Sequence, residues 1–91
     1  MIQSFEHKGL ELFFTTGNKK GIVQNHAKKL SAILFLLDEA EGIKDAKLIL
    51  GFHQLKGDLN ERYSVKVTGG WRVHFKIIDD DIYVIDYENY H

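Results

Sequence analysis

At 91 residues, 44% apolar and 27% charged, the chain is expected to form one small soluble domain over residues 1–91, burying roughly 60–65% of its unfolded surface. Twelve Lys and Arg against thirteen Asp and Glu leave a net charge of −1, so any nucleic acid it binds must meet positive charge gathered on one surface. With no Cys there is no disulfide or thiolate chemistry and little prospect of a zinc site, and no apolar run approaches the ~20 residues that cross a bilayer.

The opening Met1-Ile2-Gln3-Ser4-Phe5-Glu6 lacks a basic region followed by a long apolar core. No signal peptide is expected, and a cytoplasmic address fits. Ile2 to Phe5 suit a short first strand. A first helix is predicted over Lys8–Thr16, with Leu10, Phe13 and Phe14 on one face and Gly17 at its C-terminal cap. Gly17 to Gly21 read as a loop. Asn25 is the predicted N-cap of a second helix. Ala27, Leu30, Ile33, Leu34, Leu37 and Ala40 form its apolar stripe, a core pattern, and Gly42 closes it. Ile43 to Gly51 carry no clear period.

The second half changes to period two. Tyr63, Val65 and Val67 alternate with Arg62, Ser64 and Lys66. Trp71, Val73, Phe75 and Ile77 alternate with Arg72, His74 and Lys76. Each run predicts a strand with one buried face. Thr68-Gly69-Gly70 joins them as an antiparallel hairpin. Asp79-Asp80-Asp81 turns the chain into a final strand, Ile82–Asp86, which runs on into Tyr87-Glu88-Asn89-Tyr90-His91. The order is α+β: two helices on one face of a mostly antiparallel sheet.

The alternation places Arg62, Ser64, Lys66, Arg72, His74 and Lys76 on the outer sheet face, with no acid among them. Local positive charge is therefore expected there. The same pattern also suits a solvated face that discourages edge pairing.

Five histidines remain. His7 and His26 lie near helix starts and are expected at the surface without a role. The alternation accounts for His74. His53 stands in Phe52-His53-Gln54-Leu55-Lys56, a short strand or turn, and His91 follows Tyr90. If His53 abuts the final strand, two imidazoles, a phenol and the cations Lys56 and Arg72 share one patch. Such a set meets the needs of RNA cleavage without a metal.

The chain resembles the HigB-type toxins (host inhibition of growth) of the RelE superfamily, end to end. The resemblance rests on Met1-Ile2-x-Ser4-Phe5-x-His7-Lys8-Gly9-Leu10, His53-x-Leu55-Lys56-Gly57-Asp58, Tyr63-Ser64-Val65, Trp71-Arg72-Val73-x-Phe75 and Asp86-Tyr87-Glu88-Asn89-Tyr90-His91. It implies a RelE-like fold, two helices on a twisted sheet. It also implies a ribosome-dependent endoribonuclease that cuts mRNA in the A site without a cofactor. By position, His53, Tyr90 and His91 match catalytic residues, and Lys56 and Arg72 match residues that hold RNA phosphate.

There are departures. Asn89 stands where the family often has Asp, and an amide cannot act as a base. Gln54 replaces the usual Pro, which restores an N–H and frees the backbone before Leu55. Tyr63 lies near a position commonly Trp. Lys8, Lys19, Lys20, Lys28 and Lys29 are available to ribosomal RNA or simply to solvent. The resemblance further implies a HigA-type helix-turn-helix antitoxin, through which alone the protein would reach operator DNA. The same superfamily fold also hosts ParE-like gyrase inhibitors, and a non-catalytic binding module is a third reading.

Overall fold

The computed structural model describes residues 1–55 and 62–90. Helices α1 (Lys8–Thr16), α2 (Ala27–Glu39) and the short α3 (Ile43–Ala46) precede four strands. These are β1 (Phe52–Gln54), β2 (Tyr63–Thr68), β3 (Trp71–Ile78) and β4 (Asp81–Asn89). They form one antiparallel sheet in the order β1-β2-β3-β4. The architecture is the α+β arrangement expected.

α1 has the predicted bounds. Gly17 adopts the left-handed conformation at φ 81° and donates its N–H to the Phe13 carbonyl. His7, expected to have no role, caps the other end: its Nδ1 accepts the Leu10 N–H at 2.9 Å. That bond satisfies one of the donors a helix start leaves free.

α2 begins differently from the expectation. Asn25 lies inside a 3₁₀ turn, Gln24–His26, and His26 occupies the cap position without a capping hydrogen bond. The His26 ring turns inward instead, against Trp71 and Tyr87. The buried stripe is as predicted: Leu30, Ile33, Leu34 and Leu37 are enclosed. These side chains, with Leu10, pack on Val65, Val67, Val73, Phe75, Ile82, Ile85 and Tyr87 from one sheet face. Each fully buried leucine contributes roughly 1.5–3 kcal/mol.

The β2–β3 hairpin turns at Gly69-Gly70 as expected. The β3–β4 turn uses Asp79 and Asp80, both with positive φ (50° and 69°). That double left-handed geometry matches the right-handed twist of paired strands. The β4 strand bulges at Val84, φ 50°, where its register against β3 shifts. Beyond Asp86 it continues to Asn89, longer than the sequence suggested.

The predicted first strand is not a continuous strand. Ile2 and Phe5 make two isolated parallel bridges, to Ile82 and Ile85. Between them the Val84 bulge breaks the ladder, and the Ser4 hydroxyl accepts the Val84 N–H at 2.9 Å. The N-terminal segment thereby covers the outer edge of β4, anchored by Gln3 N–H to the Ile82 carbonyl and Ile85 N–H to the Ser4 carbonyl.

Candidate functional site

The sheet register aligns His53, Ser64, His74 and Asp86 in one row across the four strands. Lys66, Arg72 and Glu88 form the next row. Directly paired residues share a face, and here it is the face away from α1 and α2. Alternation along β4 carries Tyr90 to the same side as Asp86 and Glu88.

Two sequence expectations for this face are corrected. It is not free of acid, because β4 brings Asp86 and Glu88 and the N-terminal segment brings Glu6. Nor is it simply solvated, because Ser64 is fully enclosed and His74 is 6% exposed. Arg62 reaches across its centre. Its Nη1 donates to His74 Nδ1 at 3.2 Å and to the Val84 carbonyl at 3.3 Å, and its Nη2 pairs with Glu6 at 3.0 Å. The Tyr90 ring lies nearly parallel to the His74 ring, 16° apart with centroids 6.3 Å apart.

His74 is the residue that sequence reasoning passed over. A guanidinium can only donate, so His74 Nδ1 accepts and Nε2 carries the proton. That Nε2–H meets Glu88 Oε1 at 2.9 Å, with Asp86 Oδ2 at 3.8 Å. Nothing in the alternation alone marks His74 out; the clue lies in its neighbours on β4, two acids in register with a basic strand. The same ligand atoms of His74, Asp86 and Glu88 lie within 4.8 Å of one another. To hold a cation there, His74 would have to turn the lone pair of Nε2 outward and carry its proton on Nδ1, the nitrogen to which Arg62 already donates. The geometry is that of a hydrogen-bonded array.

Tyr90 is 36% exposed, and its backbone N–H donates to the Gly70 carbonyl at 2.8 Å, which fixes the tail against the β2–β3 turn. The Arg72 guanidinium sits over its ring, 5.6 Å from the centroid. Burial pushes the phenol above its ordinary value, and the hydrogen bond to Glu88 and that carboxylate's charge add to the effect. Arg72 and Arg62 pull it back. Tyr90 is therefore a neutral hydrogen-bond donor at physiological pH.

His53 is exposed on β1. Strand order places β2 and β3 between it and β4, roughly 14 Å at about 4.8 Å per strand. His53 therefore does not abut the final strand; it shares a face with Tyr90 and Arg72. Asn89 is paired with Trp71 and lines a surface groove with His7, Val23, Trp71 and Tyr87; alternation along β4 turns it to the opposite face from Tyr90. Lys56 and His91 lie outside the described residues.

On the helix side, His26 is 6% exposed, against the expectation of a surface residue. Its Nδ1 shares a hydrogen bond with the Tyr87 hydroxyl at 2.6 Å, and that oxygen accepts the Val23 N–H at 3.4 Å. Burial raises the Tyr87 phenol above its ordinary value, against an opposing pull from Val23. This cluster joins the end of β4 to the start of α2.

Residues 3–91 match the family of the RelE-like toxin of type II toxin–antitoxin system HigB. The chain is also 37% identical over 92 residues to Endoribonuclease HigB of Proteus vulgaris, covering 100% of both proteins.

Proposed function

This chain belongs to the HigB-like, RelE-like toxins of type II toxin–antitoxin systems, and from that premise we propose that it is an endoribonuclease cutting mRNA in the ribosomal A site. The observation that carries the reading is the shared sheet face of His53, Arg72 and Tyr90, with Arg72 over the Tyr90 ring. The Proteus vulgaris relative's description as an endoribonuclease supports it.

The chemistry needs no resident cofactor. A base takes the proton of the RNA 2′-OH, and the freed oxygen attacks the adjacent phosphorus in line. The bond to the 5′-oxygen breaks, that oxygen takes a proton from an acid, and a 2′,3′-cyclic phosphate remains. His53 and His91 serve as the acid–base pair. Tyr90 donates a hydrogen bond or stacks on a base, and Arg72 and Lys56 hold phosphate oxygens. The separation of β1 from β4 leaves room for a nucleotide between His53 and Tyr90. The ribosome supplies the orientation that an open sheet face does not.

The whole of residues 1–91 acts as one domain in the cytoplasm, restrained by a helix-turn-helix antitoxin whose complex binds operator DNA. Among the described residues no helix is long and apolar enough to cross a membrane. Expression followed by primer-extension mapping of mRNA ends tests the reading. New 5′ ends within translated codons are expected. Intact mRNA with gyrase-linked DNA breaks would replace it with gyrase inhibition.

A further inference from the structure

Arg72 and Glu88 are direct partners across β3 and β4. Opposite charges so placed ordinarily pair. Here they do not: Glu88 Oε1 is bonded to His74 Nε2 at 2.9 Å, and among the described residues Arg72 forms no ion pair and rests on the Tyr90 ring.

The reason lies in the array behind Glu88. Arg62 fixes the His74 ring by donating to Nδ1, and Arg62 is itself tied to Glu6 and to the Val84 carbonyl. The ring is almost fully buried, so it has one orientation in which to offer Nε2–H. On the other side of Glu88 the Tyr90 ring lies nearly parallel to the His74 ring, 6.3 Å between centroids. Asp86 completes the acidic side of the ring at 3.8 Å.

We infer that His74 is a positioning residue that draws the Glu88 carboxylate away from Arg72 and so keeps the Arg72 guanidinium open for an RNA phosphate. Without His74, Glu88 turns to its cross-strand partner. Arg72 is then neutralised, and an acid stands where the phosphate would bind. The inference rests on the proposed role of Arg72 in RNA binding.

The test compares wild type with His74→Phe, His74→Gln, Glu88→Gln and the double variant His74→Phe/Glu88→Gln. Two readouts are taken: single-turnover cleavage of ribosome-bound mRNA, and the side-chain Nε–H signal of Arg72 in nitrogen-15 NMR. The chain has two arginines, Arg62 and Arg72, so Arg72→Lys assigns the signal. His74→Phe keeps a ring but loses both hydrogen bonds. It is expected to lower cleavage at least roughly tenfold, the worth of one charge-assisted hydrogen bond, and to move the Arg72 signal. The double variant regains both, because no carboxylate remains to capture Arg72. A merely structural His74 would not be rescued in this way. His74→Gln still accepts and donates, so it loses less than His74→Phe. If His74→Phe does not fold, His74→Gln with and without Glu88→Gln makes the same comparison.

A double variant as slow as His74→Phe, with the Arg72 signal unmoved across the series, overturns the inference. If wild type cuts no mRNA, the endoribonuclease reading fails alone. The Arg72 signal then still decides whether His74 holds Glu88 away.

Discussion

The Tyr87 hydroxyl stands 2.6 Å from His26 Nδ1, and the bond ties the final strand to the turn that opens the second helix. Trp71 closes over the pair, with its ring 4.7 Å from Tyr87 and 5.4 Å from His26. Removing the hydroxyl leaves a buried imidazole nitrogen without its partner. Tyr87→Phe is expected to destabilise the protein by about 1–3 kcal/mol in urea unfolding at neutral pH.

The same phenol gives stability a dependence on alkaline pH. Burial raises its folded-state value above the ordinary 10.0. Above that ordinary value the unfolded chain loses this proton first, so the folded state binds more protons and stability falls with rising pH. The contribution is intact below pH 10.0 and is lost as pH climbs through the raised folded value. Tyr87→Phe removes this component. The stability gap between wild type and variant should therefore narrow between neutral pH and pH 11, measured by urea midpoints.

At the sheet face, His53→Ala is expected to lower the maximal cleavage rate by about 10²–10⁴-fold, the usual worth of a proton-transfer group. His53 is exposed, so its thermal unfolding should be unchanged. Arg72→Ala should instead raise the apparent Kd for ribosome-bound mRNA. It should also flatten the salt dependence, since one phosphate contact is lost. Equal behaviour of the two variants in both assays would contradict their division of labour.

Asn89→Asp tests the departure from the family's usual carboxylate. An amide neither accepts nor releases a proton in the catalytic range, whereas an acid at the end of β4 supplies a charge beside the tail. Cleavage by Asn89→Asp is expected to be faster than wild type in single-turnover kinetics. Equal rates would show that the position contributes no carboxylate chemistry.

Gly9 and Gly21 bring the first turn of α1 against the loop before the 3₁₀ turn. A Cβ at Gly9 would fall within contact-violating distance of the Gly21 carbonyl, which is backbone and cannot swing away. Gly9→Ala is expected to cost about 1–3 kcal/mol, the range for overpacking. A thermal melt within one degree of wild type would show that the loop yields freely.

The strongly periodic elements were legible in the sequence. Leu30, Ile33, Leu34 and Leu37 could only be one buried stripe, and Tyr63–Thr68 and Trp71–Ile78 could only alternate across a sheet. The histidines were not, because their roles depend on partners far along the chain. His26 is buried by Tyr87, 61 residues away, and His74 is held by Arg62 and Glu88, 12 and 14 residues away. The acid on the outer face was missed for a related reason. The final strand carries its apolar residues as the dominant pattern, and only its pairing with β3 brings Asp86 and Glu88 onto the face of Arg72 and His74. Ile2 to Phe5 suit a strand by sequence, but the Val84 bulge leaves room for bridges only at Ile2 and Phe5.

The parallel seating of those first residues beside β4 also sets an order of assembly. Ser4 bonds to Val84 across 80 positions, and the amino terminus meets Asp81 across another 80. Contacts between such distant positions form late, after the chain that separates them has been made. The outer sheet face depends on them, because Glu6 anchors Arg62 and Arg62 orients His74. A chain still being synthesised therefore holds its opening residues without a dock. The bonded row from Glu6 through Arg62 and His74 to Glu88 comes into being only once the final strand has been added, so its assembly waits on the whole chain.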